Sequence, residues 1–169
     1  MRAMTGLVPL AIGVAVAGVV TWYLLTRHWA IGPWVLAVLL FAHGWVHLMF
    51  VFPQPDAAGT SAGAAAWPFD MADSWLIRDR GLDIGLVRGA GLVLMVAVVV
   101  GFALAAICTI GVLVPAGWWA GLVVGSSLGS LVLLTMFFSP MLLLGHAIDV
   151  ALLGLVLSSA WSPTATAIP

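Results

Sequence analysis

The sequence predicts an all-α, polytopic transmembrane helix bundle of about five membrane spans, and three observations carry that prediction. Of 169 residues, 64% are hydrophobic and only 7% are charged, against about 25% charged in soluble domains. The mean hydropathy is +1.24. The apolar residues fall into runs long enough to cross a hydrocarbon core of about 30 Å, which takes about 20 residues of helix.

Five runs qualify: Met4–Leu25, Pro33–Phe52, Gly89–Val114, Trp118–Phe138 and Met141–Ala160. The first opens with Met1-Arg2 and contains Ala15-Val16-Ala17, which together resemble a signal peptide with a cleavage site. Its apolar run continues past that point through Val19, Val20, Trp22, Tyr23 and Leu25, so an uncleaved span is expected. The breaks Pro115-Ala116-Gly117 and Ser139-Pro140 stop helices and permit tight turns. Neighbouring spans should therefore pack antiparallel.

Between the second and third spans lies the one sizeable polar segment, residues 53–88. Its first part is rich in Ala, Gly and Pro. Its second part, residues 67–80, mixes Trp67, Phe69 and Trp75 with carboxylates, as suits the headgroup level. An interfacial helix is expected to start near Asp70 or Asp73, with a carboxylate at its N-terminus. The tail 161–169 carries no charge and reads as disordered. Arg2, Arg78, Arg80 and Arg88 fall on one side of a five-span bundle and only Arg27 on the other. The positive-inside rule then places the N-terminus and the 53–88 segment in the cytoplasm.

Composition also excludes function classes. With a net charge of −1 and no basic patch, no nucleic-acid partner is expected. Both cation types together number five, and all five are Arg, so a retinal Schiff base or a pyridoxal enzyme, which need a lysine amine, is excluded. The lone Cys108 permits no intramolecular disulfide.

Small residues recur every fourth position in the fourth span, at Gly121, Gly125 and Gly129, and in the third, at Ala97, Gly101 and Ala105. Such spacing lets helix backbones approach closely in lipid. Packing within the chain is the first expectation, and homodimerisation or docking to a membrane partner through Gly121, Gly125 and Gly129 the alternative. Met49, Met95, Met136 and Met141 read as gap-fillers.

Four ionisable side chains stand inside the apolar runs: His43 and His47 in the second, His146 and Asp149 in the fifth. Such groups are costly in hydrocarbon and need partners. The histidines are four residues apart and share a helix face, and His146 and Asp149, three apart, share another. At about 1.5 Å per residue, His47 and His43 lie about 7 and 13 Å below the loop-side boundary, and His146 and Asp149 about 9 and 13 Å. The two pairs match in depth if their helices touch.

Three chemistries suit them. Three imidazoles and a carboxylate are a normal ligand set for zinc or non-haem iron. Haem b is a second fit, with a histidine from each helix as axial ligand. Gly44 and Gly145 would then admit the porphyrin, and Arg78, Arg80 or Arg88 would pair with its propionates. A proton relay or quinone site is the third. Against all three stands purely structural bonding, of His146 to Asp149 and of a histidine to Ser130 or a carbonyl. The serines of the fourth span are expected to bond to backbone carbonyls.

The stretch Phe41-Ala42-His43-Gly44-Trp45-Val46-His47 resembles a His-Gly-x-x-His stretch in an early span of a family of short, uncharacterised bacterial multi-span membrane proteins. The run from Trp118 through Ser130 to Phe138-Ser139-Pro140 and Gly145 is loosely similar to that family's pattern. The resemblance implies a helical bundle in a bacterial cytoplasmic (plasma) membrane and brings no activity with it. His146 and Asp149 stand where that family has small or amide residues.

The resulting expectation is a small membrane protein binding a transition metal or haem through His43, His47, His146 and Asp149, with a redox or electron-transfer role. The alternative is a non-catalytic accessory or assembly subunit of a larger membrane complex. A hydrolase using zinc-bound water, with Asp149 or Asp70 as base, is a variant of the first.

Overall fold

The computed structural model describes residues 19, 22–23, 32–52, 69–159 and 161–163. Among the described residues every regular element is helical. Helix α1 spans Gly32–Val46 and tightens into a 3-10 segment at His47–Phe50. A short α2 covers Trp75–Arg78, α3 Ile84–Thr109, α4 Trp119–Met136 and α5 Leu143–Leu157. Four of these helices, with their 3-10 extensions, are long and apolar enough to cross a membrane. The expected first span lies outside the described residues except for Val19, Trp22 and Tyr23, which are helical. Trp67, Arg2, Arg27 and the first part of the 53–88 segment also lie outside them.

Local chemistry sets the ends of these helices. Helix α3 begins five residues before the expected Gly89, because Asp83 caps it and accepts a hydrogen bond from the Leu86 N–H at 2.9 Å. It stops at Thr109, short of the expected Val114, where Gly111 takes a left-handed φ of 73°. The Thr109 hydroxyl donates to the Ala105 carbonyl and accepts from the Trp119 indole, joining the end of α3 to the start of α4. Ser139 is extended and Pro140 opens a 3-10 turn, so α4 and α5 are separate helices rather than one kinked rod.

The segment after residue 69 differs from its expected form. Ser74, not a carboxylate, caps α2. Asp70 closes a turn by accepting from the Ala72 N–H, and Asp73 pairs with Arg78 at 2.9 Å. Ser74 also donates to the Met136 carbonyl, and the Trp75 indole to the Thr135 carbonyl at 2.8 Å. Carbonyls in the last turn of a helix lack intrahelical partners, and α2 supplies them for α4.

Packing runs in a row, α1 on α3, α3 on α4 and α4 on α5. The core has two apolar clusters. One gathers Leu36, Leu40, Val98, Phe102, Trp119 and Leu152, and the other Phe50, Val87, Met95, Leu133, Phe137 and Leu142. Trp161 belongs to the first cluster, its ring centroid 5.0 Å from that of Trp119. The expectation of a disordered tail from residue 161 is therefore corrected at its start; residues 164–169 lie outside the described residues. Outward faces remain apolar, with Val38, Phe41, Val93, Val96, Val132 and Val150 all exposed. Such a surface suits contact with a lipid bilayer.

The glycines divide by what they face. A Cβ at Gly44 would meet the Phe102 Cβ at 2.8 Å, whereas one at Gly89 would meet nothing within 4 Å among the described residues. Gly44→Ala should therefore destabilise, because overpacking of about 1–3 kcal/mol outweighs a helix-propensity gain of about 1 kcal/mol. Gly89→Ala should keep that gain, and thermal unfolding of the two variants in detergent reads the difference in sign.

Candidate functional site

Between the two apolar clusters lies a polar layer built from three helices. His43 and His47 project from the end of α1, Ser130 from α4 and Asp149 from α5, and all four are buried. The helical repeat explains the placement. Along α1 and its 3-10 extension, His43 and His47 follow Leu40 of one cluster and precede Phe50 of the other; on α5, Asp149 stands between Leu142, just before the helix, and Leu152.

One continuous hydrogen-bonded chain connects them. His43 Nε2 lies 2.8 Å from Asp149 Oδ1, and the Ser130 hydroxyl lies 2.5 Å from Asp149 Oδ2. His47 Nε2 lies 2.8 Å from Ser130 Oγ, and His47 Nδ1 lies 2.9 Å from the His43 carbonyl. A carbonyl only accepts, so His47 carries its proton on Nδ1. Phe102 of α3 covers both imidazoles, edge-on to His43 at 4.9 Å and stacked on His47 at 6.5 Å.

The expected four-residue set is only partly assembled. His43, His47 and Asp149 come together, so α1 and α5 do meet at this depth. His146 turns elsewhere: Nδ1 donates to the Leu142 carbonyl at 3.0 Å, and Nε2 faces the Thr135 hydroxyl at 3.4 Å. Three residues is 300° of helix, and the remaining 60° suffices to carry His146 off the Asp149 face. Nor does His146 satisfy Asp149, which bonds to His43 and Ser130 instead. Among the described residues, no group of three or more His, Cys, Asp or Glu side chains is placed to hold a metal ion.

The haem geometry changes as well. Space beside Gly44 is taken by Phe102, and space beside Gly145 by Leu134, whose Cδ1 lies 2.7 Å from where a Cβ would sit. Arg78 is engaged by Asp73 and Asp79, and chiefly the Asp79 contact holds its guanidinium above the ordinary arginine value. Arg80 sits over the Trp75 ring, 5.9 Å from its centroid, and Arg88 is exposed on α3.

Ser130 departs from the expectation of carbonyl-bonded serines and meets that of a histidine–serine bond, since its hydroxyl bridges Asp149 and His47. Ser, His and Asp here do not make a nucleophilic triad. In such a triad the histidine stands between hydroxyl and carboxylate, whereas here the hydroxyl stands between them and has 0% exposure. Phe102 carried no polar signal in the sequence and was legible only as an apolar residue one position after Gly101. Comparison with protein-family models, with curated proteins and with solved structures finds no match.

Removing the bridge tests the network's cohesion. Ser130→Ala deletes one hydroxyl but strands two buried partners, a cost of about 1–3 kcal/mol for each group left unsatisfied. Its melting temperature in detergent should fall clearly below that of Ser130→Thr, which keeps a hydroxyl.

Proposed function

We propose that this chain is a small integral membrane protein whose buried His43–Asp149–Ser130–His47 chain holds one proton and passes it between Asp149 and His47. The observation that carries this reading is a proton count. Four hydrogen bonds need four protons, one in each. Two neutral imidazoles and one serine supply three, and a carboxylate supplies none. The full set of bonds is satisfied only when the cluster holds one proton more.

That proton has two places. On Asp149 it leaves a neutral acid beside two neutral imidazoles. On His47 it makes an imidazolium facing, through Ser130, the Asp149 carboxylate. Both states have zero net charge, as burial among apolar clusters favours. Transfer needs two short shifts: Asp149 Oδ2 gives its proton to Ser130 Oγ while Ser130 gives its own to His47 Nε2. The end state is a carboxylate, a hydroxyl and an imidazolium, with no atom or charge left over.

Zinc, iron or haem b bound by His43, His47, His146 and Asp149 together would require α5 to turn His146 inward, and the proton reading requires no such movement. A bacterial plasma membrane, with the 53–88 segment on the cytoplasmic side, remains part of the proposal through the arginine distribution and the His-Gly-x-x-His resemblance.

A second reading, the accessory subunit or homodimer, has its own observation. Among the described residues, nothing lies within 4 Å of where a Cβ would sit on Gly121 or Gly125, while Gly129 packs on Val98. Two of the three glycines thus present bare backbone outward, as helix association in lipid favours. Gly125→Ile should leave the melting temperature nearly unchanged while shifting any dimer in cross-linking toward monomer.

The proton reading is tested spectroscopically near neutral pH. Infrared spectra should show a protonated carboxyl band that disappears in Asp149→Asn, or nitrogen NMR should show a doubly protonated His47. A carboxylate found together with two neutral imidazoles would remove the reading.

A further inference from the structure

A shallow groove of about 360 Å³ runs along the outside of α4 where α2 leans on it, lined by Trp75, Leu76, Leu131, Val132, Thr135 and Met136. Its long wall is the outward face of α4, part of a helix apolar enough to cross a membrane. Its mouth is the end of α4, where the Trp75 indole is pinned to the Thr135 carbonyl at 2.8 Å. Pinned in this way, the ring is a fixed wall rather than a mobile side chain.

The charge beside that mouth is uneven. Arg78 is saturated by Asp73 and Asp79. Arg80 pairs with no carboxylate among the described residues, and its guanidinium lies over the Trp75 ring that lines the groove. Groove and cation therefore share one side chain. Together they offer an apolar trough on a helix long enough to cross a membrane and, beside it, a planar cation with no ion-pair partner among the described residues, which is suited to bidentate phosphate recognition.

We propose that this groove binds one anionic phospholipid of the surrounding leaflet, an acyl chain against Leu131 and Val132 and the phosphate at Arg80. The site is separate from the buried proton chain and stands or falls without it. A zwitterionic lipid would fill the same trough but carries a cation that offsets its phosphate, so headgroup charge is the discriminating property.

The test uses the full-length protein in mild detergent, offered phosphatidylglycerol or phosphatidylcholine and read by native mass spectrometry. Wild type should retain phosphatidylglycerol about fivefold better, one guanidinium's share of attraction at a membrane surface. Arg80→Gln should level the two lipids, and Arg88→Gln, on α3 and off the groove, should keep the preference. Val132→Trp, which fills the trough from an exposed position, should lower retention of both, with an unchanged melting temperature showing that the fold is intact. Equal retention of the two lipids by wild type would overturn the proposal. So would equal losses in the two arginine variants, which would mean diffuse surface charge, or undiminished retention in Val132→Trp.

Discussion

A carboxyl group surrounded by hydrocarbon must be neutralised, and the arrangement of the four long helices answers to that constraint. Asp149 is fully buried, and an isolated carboxylate there would cost several kcal/mol after relaxation. It is met by one imidazole from α1 and one hydroxyl from α4, and the hydroxyl is in turn met by a second imidazole. No single helix could supply these partners. The two apolar clusters on either side exclude water from the layer, which strengthens its hydrogen bonds and penalises any unmatched charge. Apolar packing and polar pairing are thus two halves of one arrangement.

The row of packed helices gives this layer a mechanical role. Extensive contact joins α1 to α3, α3 to α4 and α4 to α5. Helix α1 and its 3-10 extension meet α4 and α5 through His47–Ser130 and His43–Asp149 as well as through the two apolar clusters. Close approach on the α3 side depends on Gly44 lying against Phe102 and Gly101 against Ser126. Phe102 therefore serves packing and site together, since the same ring that fills the space beside Gly44 also covers the imidazoles.

Much of this was legible in the sequence because a membrane leaves few choices. Hydropathy and length mark the helices, and the rarity of ionisable groups within spans singles out His43, His47 and Asp149. Helix ends were less legible. Asp83 and Ser74 start helices by side-chain caps that are invisible to an apolar run, and Gly111 stops one before its apolar run ends. His146 shows the limit of spacing arguments: an offset of three residues places two side chains near one face, and neighbours decide whether both turn inward. Ser130 was visible as a polar residue in a span, but its role as a bridge depends on Asp149 arriving from another helix.

The order of these residues along the chain has a consequence for how the protein is made. His43 and His47 leave the ribosome about a hundred residues before Asp149, with the donors and acceptors of α1 still unmatched. Helices that insert singly and associate afterwards leave those groups waiting until Ser130 and Asp149 have been made. The polar layer therefore closes only after α5 is in place.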